Sequence, residues 1–264
     1  MNIIVCIKQV PDTTDVKIDP KTGTLIREGV PSIVNPDDKF AIEAALRLKD
    51  KHGGKVTAIS MGPPQADDAL REVSAMGVDE LILLSDRAFA GADTLATSYT
   101  LATAVKKVGG YDLVLCGRQA IDGDTAQIGP QMAEYLELPQ ITYVRGFELS
   151  GGKLVVEREM EDGFERIETK LPALLTLVKG EFSPRYPTLR GISEAYREKK
   201  VQVWTAKDID ADPDQIGSNG SPTWVHKTFA PEPKGAGKMI TGSKDEAARQ
   251  LLKHLLDDNV LREV

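Results

Sequence analysis

"DLVLCGRQAIDGDTAQIGP", residues 112–130, leaves an unbroken apolar run for a polar stretch holding Gly117, Gly123, Asp122 and Asp124, then turns back toward a helical pattern. A short run that is apolar at every position reads as a strand covered on both faces, as in a parallel sheet. Four similar runs accompany it: "NIIVCIKQV" (2–10), "KVTAISMG" (55–62), "ELILLSD" (80–86) and "ALLTLVKG" (173–180). Helical patterns separate them. "NPDDKFAIEAALRLKDKHGG" (35–54) sets Asn35 as N-cap, Pro36 at the first helical position, Asp37 and Asp38 in the positive first turn, and Gly53 and Gly54 as the stop. A second helix is expected from about Gln65 to Met76. A third, "ADTLATSYTLATAVKKVGG" (92–110), has Asp93 as its cap and lysines in its last turn. A fourth is expected from Asp124, where D-x-x-Q resembles a capping box with Gln127 at N3; Pro130 inside it predicts a kink or an irregular first turn. Strand alternating with helix implies an α/β fold, a doubly wound, mostly parallel sheet with right-handed crossovers.

After residue 140 the pattern changes. Alternating segments with turns at Gly151-Gly152 and Asp162-Gly163 read as an antiparallel excursion on the sheet. From about Trp204 the chain is rich in Pro, Gly, Ser and Asp, and only "SKDEAARQLLKHLLDDN" near the end is clearly helical. The expected division is an α/β domain over 1–203 and an extended C-terminal arm over 204–264. An arm that cannot bury its own apolar face is expected to wrap a partner subunit.

The chain has 264 residues, 41% hydrophobic and 28% charged, ample for a sizeable core. No apolar run is long enough to cross a bilayer, and the N-terminus lacks the features of a signal peptide. A net charge of -7 argues against a nucleic-acid partner. Cys6 and Cys116 lie in separate apolar runs and read as buried thiols of a reducing cytoplasm. His52, His226 and His254 are scattered, so no metal site is expected.

In an open α/β sheet, ligands settle beyond the carboxyl ends of the strands. Four segments fall there: Cys6–Val10, Asn35–Asp38, "SMGPP" (60–64) with Met61 and Gly62, and 117–129. The last is the most specific. Gly117, Gly123 and Gly129 allow close backbone approach, and a helix start turns free N–H groups outward to suit phosphate. Thr125 and Gln127 add neutral donors, Arg118 a charged one. Asp122 and Asp124 oppose a bare phosphate unless they turn inward to brace the loop or meet a ribose hydroxyl. A merely capped turn is the alternative. The usual dinucleotide and P-loop fingerprints are absent, as are a nucleophile elbow and a zinc motif. Redox work would therefore belong to a bound cofactor.

"CGRQAIDGDTAQIGP", together with "VCIKQVPDT", "VNPDDKFAIEAAL" and "ISMGPP", closely resembles the β subunit of electron transfer flavoproteins over at least residues 1–200. The resemblance implies a fold of the adenine-nucleotide α-hydrolase-like type and a heterodimer with an α subunit. It implies AMP at this corner in simple members, and in electron-bifurcating members FAD reduced by NADH. Contacts carried over by motif position fall on Cys6, Asn35, Pro36, Asp37, Asp38, Met61, Gly62, Gly117, Arg118, Gln119, Ala120, Ile121, Asp122, Gly123, Asp124, Thr125, Ala126, Gln127 and Ile128, with the phosphate on amides around Asp124 to Ile128. Ala126 and Ile128 stand where the family often has a longer polar residue and a Thr. "GADTLATSYTLA" (91–102) is similar to the bifurcating group, which implies Asp93, Thr94 and Thr97 beside the flavin. In that branch one electron goes through the α-subunit flavin to a flavin-containing dehydrogenase of acyl-CoA or lactate type, and the other to ferredoxin or flavodoxin. "SPRYPTLRGI" (183–192) is similar to the family's recognition loop, implying partner docking by Arg185, Tyr186, Leu189 and Ile192. The family's lysine just after it is Glu194 here. A nucleotide-sensing stress-type module without redox work stays as a reading of another class.

Overall fold

A computed structural model describes residues 1–12, 31–226, 235 and 237–261. The first apolar run becomes strand β1 (Asn2–Ile7), buried along all but its first residue. A short antiparallel pair follows, β2 (Gln9–Pro11) with β3 (Ser32–Val34), and helix α1 (Pro36–His52) starts just beyond it. Then come β4 (Lys55–Met61), α2 (Asp67–Met76), β5 (Glu80–Leu84), α3 (Thr94–Val108), β6 (Leu113–Gly117) and α4 (Ile128–Leu136). β7 (Gln140–Ser150), β8 (Lys153–Met160) and β9 (Gly163–Lys170) form a meander. Its first turn uses Gly151 and Gly152 at φ of 59° and 78°, the left-handed backbone that a tight hairpin needs. The fully buried β10 (Ala173–Leu177) returns to the sheet centre, and α5 (Leu189–Arg197) leads to β11 (Val201–Trp204).

Among the described residues, one nine-stranded sheet runs in the order β11-β5-β4-β1-β6-β10-β7-β8-β9. Its members from β11 to β7 pair in parallel, and the last two steps are antiparallel. The chain winds from β1 outward to β4 and β5, then crosses back to lay β6 on the other side of β1. That reversal opens a crevice at the carboxyl ends of β1 and β6, where such sheets hold ligands. Ile3, Val5 and Leu113 face α1 and α2 in one core, whereas Ile4, Val114 and Leu174 face α3 and α4 in another.

The structure corrects three expectations. Helix α4 begins at Ile128, with Gln127 in the cap position and no side-chain cap. Asp124 and Ala126 sit at φ of 51° and 53°, so the stretch expected to be the first helical turn is loop. Pro130 then lies in the first turn of α4, where its missing N–H has no helical acceptor to lose and no kink is required. The compact unit also runs on to His226 and does not end at 203. Beyond β11 the chain binds back to the sheet layers: the Ala206 N–H donates to Asp86 Oδ2 (3.1 Å) and the Asp212 N–H to Tyr99 Oη (3.1 Å). Lys227–Val264 is a second unit; its helix α6 (Lys244–Asp257) opens with a Ser243–Glu246 capping box and buries none of its residues.

A Cβ placed on Gly129 would fall on Cγ2 of the buried Thr176 of β10, so α4 reaches the sheet only because this position lacks one. Gly129→Ala is expected to destabilise the unit by about 1–3 kcal/mol, read as a lower urea midpoint at unchanged slope.

Candidate functional site

At the mouth of the crevice, α1 is fastened to everything around it. Asn35 is fully buried and does not cap its own helix. Its Nδ2 donates to Asp38 Oδ1 (3.0 Å) and to the Gln119 carbonyl (2.8 Å), and its Oδ1 accepts from the Ile121 N–H (3.1 Å). Asp38, also buried, accepts from the Lys8 N–H at 2.7 Å. Gly117 ends β6 so close to this helix start that a Cβ there would collide with the Asp38 carboxylate and the Asp37–Asp38 backbone. Burial pushes the Asp38 carboxyl up to about 7, against the downward pull of Asn35 and the backbone donors. Burial likewise raises Asp37, against the nearby Arg118 guanidinium.

The 118–127 loop hangs from this hub, with the Asp122 carboxylate partly buried and Asp124 exposed. Asp122 takes both of its contacts from Lys8 Nζ (2.6 and 2.9 Å), Asp124 accepts from the Gln119 side-chain amide, and Arg118 Nε lies 3.4 Å from Asp37. Arg118 is drawn toward Asp37 by this ion pair, but its Nε makes no hydrogen bond among the described residues. Among the described residues, the N–H groups of Thr125, Ala126, Gln127, Ile128 and Gly129 meet no acceptor. Left-handed Ala126 followed by right-handed Gln127 (φ −103°, ψ −24°) is the alternation of hand that turns successive N–H groups into an anion-accepting concavity. Side chains at Gly123 have open space, unlike those at Gly117 and Gly129, whose missing Cβ atoms serve internal packing.

The start of α3 borders the same corner. Asp93 caps it, accepting from the Leu95 and Ala96 N–H groups (2.9 and 3.1 Å). Its other oxygen accepts from Thr223 Oγ1 (2.7 Å) and N–H (3.1 Å), which hold the chain after β11; these donors keep the Asp93 carboxyl low despite partial burial. Thr94 Oγ1 donates to Gln127 Oε1 at 2.9 Å, joining the helix to the loop, and Thr97 is half-buried one turn along. Cys6 and Cys116, far apart in sequence, are in-register neighbours on β1 and β6, both buried free thiols. The Cys6 contact and burial push the Cys116 thiol well up, which leaves it unreactive. Met61 and Gly62 end the next strand over, Met61 packed into the second core.

The structure brings the segments singled out in the sequence to one corner, and sequence reasoning misses the residues that fasten it: Lys8, Thr223, and Gln131, whose Oε1 accepts from Ser98 Oγ (3.0 Å) between α3 and α4. It also reads Asn35 to Asp38 as ligand contacts, whereas Asn35 and Asp38 are spent inside the protein. In the 183–192 segment, Tyr186 and Leu189 are 91% and 89% exposed and Ile192 43%, while Arg185 points inward onto Glu43. Leu189 is the first residue of α5 and not a loop residue, capped by Thr188, whose Oγ1 accepts from the Gly191 N–H (2.9 Å).

A doubly wound sheet whose switch point offers, among the described residues, unpaired amides and no nucleophile has the layout of a nucleotide-binding α/β domain. Comparison with known proteins gives the family. The electron transfer flavoprotein domain matches residues 22–209. The electron transfer flavoprotein subunit beta of Thermoanaerobacterium thermosaccharolyticum is 58% identical over 261 residues, covering 99% of this chain and 100% of its own. The caffeyl-CoA reductase-Etf complex subunit CarD of Acetobacterium woodii is 55% identical over 263 residues, with 99% and 100% covered. The acryloyl-CoA reductase electron transfer subunit gamma of Anaerotignum propionicum is 46% identical over 269 residues, again with 99% and 100% covered. The chain belongs to the electron transfer flavoprotein family, as a β subunit that works in electron transfer with an α subunit. The stress-type sensor reading falls away. Among the described residues, no helix is long and apolar enough to cross a membrane.

Asn35→Ala strands the Gln119 carbonyl, the Ile121 N–H and one Asp38 oxygen. A loss of about 1–3 kcal/mol for each buried group left unpaired is expected, read as a lower urea midpoint. Asp38 gives a pH signature. Folded, it keeps its proton up to about 7; unfolded, it releases it near the ordinary aspartate value of about 4. Its contribution to stability is complete below that lower value and lost as pH rises through the upper one. The melting temperature of Asp38→Asn relative to the parent protein should therefore rise across that window.

Proposed function

We propose that this chain is the FAD-holding β subunit of an electron-bifurcating electron transfer flavoprotein. The observation that carries the reading is the division of labour in the 118–129 segment: Asp122 is paired with Lys8 and Asp124 is held by the Gln119 side-chain amide, while consecutive main-chain N–H groups are left for an anion. The objection raised by two carboxylates beside a phosphate site is met for Asp122 by Lys8 and eased for Asp124 by its bond to Gln119, and the unpaired amides fit a phosphate-bearing coenzyme. The amides of Thr125 to Gly129 hold the pyrophosphate, reinforced by the positive end of α4. Thr94 and Thr97 line the side nearest α3. The Asn35–Asp38 hub fixes the loop before the coenzyme arrives, so little ordering remains to be done on binding.

Bound FAD supplies hydride acceptance from NADH and single-electron delivery, one electron toward a flavin dehydrogenase by way of the α-subunit flavin and one toward ferredoxin or flavodoxin. The protein's part is to bind, orient and tune, since the corner offers no nucleophile and its two thiols are masked. Two relatives carry names of CoA-ester reductase systems, caffeyl-CoA and acryloyl-CoA. These support an acyl-CoA type of dehydrogenase partner over a lactate type, docking on the exposed Tyr186, Leu189 and Ile192.

Cofactor counting tests the reading. The purified heterodimer, denatured and chromatographed, should release two FAD. One FAD and one AMP would overturn bifurcation and leave a simple electron carrier with structural AMP.

A further inference from the structure

Tyr186 and Leu189 stand almost entirely in solvent and so contribute little to holding themselves in place. What fixes them lies just upstream. Glu43, in the middle of α1, is only 4% exposed, and both of its oxygens are occupied. Oε2 accepts from the Arg185 backbone N–H (3.1 Å) and from Arg185 Nε (2.8 Å); Oε1 accepts from Arg185 Nη2 (3.3 Å) and from Arg47 Nε (2.9 Å). Arg185 Nη2 reaches on to Asp50 (2.8 Å), further up the same helix. Arg47 in turn donates to the Glu181 carbonyl (3.1 Å) and lies over the ring of the buried Phe182. Three side chains of one helix therefore grip residues 181–185.

We propose that Glu43 is a positioning residue for partner docking: it clamps Arg185 so that Tyr186 and Leu189 are presented in one fixed geometry. The inference rests on the docking role assigned to that segment above, and it reverses the direction of Arg185, which works inward as a buttress and not outward as a contact. The chemistry suits the task. A carboxylate removed from water holds its place only while its donors stay paired, and a bidentate guanidinium adds direction to the bond. With the backbone N–H of Arg185 also captured, chain and side chain are fixed together. The two prolines, Pro184 and Pro187, flank the clamp and limit what remains free. An anchor presented rigidly loses less conformational freedom on docking, so a loosened clamp should weaken encounter with the dehydrogenase and leave the electron-transfer step itself alone.

The test uses the intact heterodimer with its flavin dehydrogenase as acceptor. Glu43→Gln keeps the size of the side chain but faces Arg185 with a neutral amide. It is expected to raise KM for the dehydrogenase roughly tenfold at nearly unchanged kcat. Arg185→Lys, which keeps the charge but loses the fork, should fall between the parent and Glu43→Gln. Leu189→Ala serves as the reference for docking itself. If Leu189→Ala raises KM while Glu43→Gln does not, the clamp is overturned and the docking surface stands. If Leu189→Ala has no effect, the docking surface fails and the clamp with it. A fall in kcat toward a small dye acceptor in step with the rise in KM would mark general loss of structure and also overturn the proposal.

Discussion

A buried amide and a buried carboxylate, Asn35 and Asp38, hold this molecule's working end in shape. Neither is accessible to water, so each of their polar atoms must find a partner in the protein. The partners come from separate parts of the chain: Lys8 after β1, Gly117 at the end of β6, and Gln119 and Ile121 in the following loop. The position of the helix, the path of the loop and the spacing of the central strands are thus one constraint. The loop can afford two left-handed residues because its ends are fixed independently of its interior.

Helix α1 carries this constraint further. Glu43 lies eight residues beyond Asn35, about 12 Å along the axis at 1.5 Å per residue. The 118–129 loop and the 181–185 segment are therefore pinned to one rod. The motif "NPDDKFAIEAALR" encodes both attachments, at its start and at its centre.

Much of this architecture was legible in the sequence where the signal is local. Continuous apolar runs marked the five central parallel strands, because burial on both faces leaves no room for alternation. Asp93 was readable as a cap because its acceptors are needed two and three residues on. Elsewhere local signals misled. Asp124 and Gln127 carry the letters of a capping box, yet Asp124 takes a left-handed backbone and spends its carboxylate on Gln119. Asn35 has the right residue type for a cap, but tertiary partners outcompeted its own helix. Strands β2, β3 and β11 are three or four residues long, too short for a period to declare itself. Thr188 ahead of "LRGISEAYR" was a readable start signal for α5 that the proline-rich context masked. The grip of Glu43 on Arg185 and of Lys8 on Asp122 leaves no local trace, since each joins residues more than a hundred positions apart.

The terminal helix bears on how a cell must handle this chain. Leu251 and Leu252 of α6 are each about half exposed, and Val260 and Leu261 beyond it remain open as well. Greasy surface of that kind on a newly released polypeptide invites self-association and capture by quality-control machinery. Any partner surface that covered these side chains would remove that liability, so this end of the chain is where unassembled polypeptide is most exposed to aggregation.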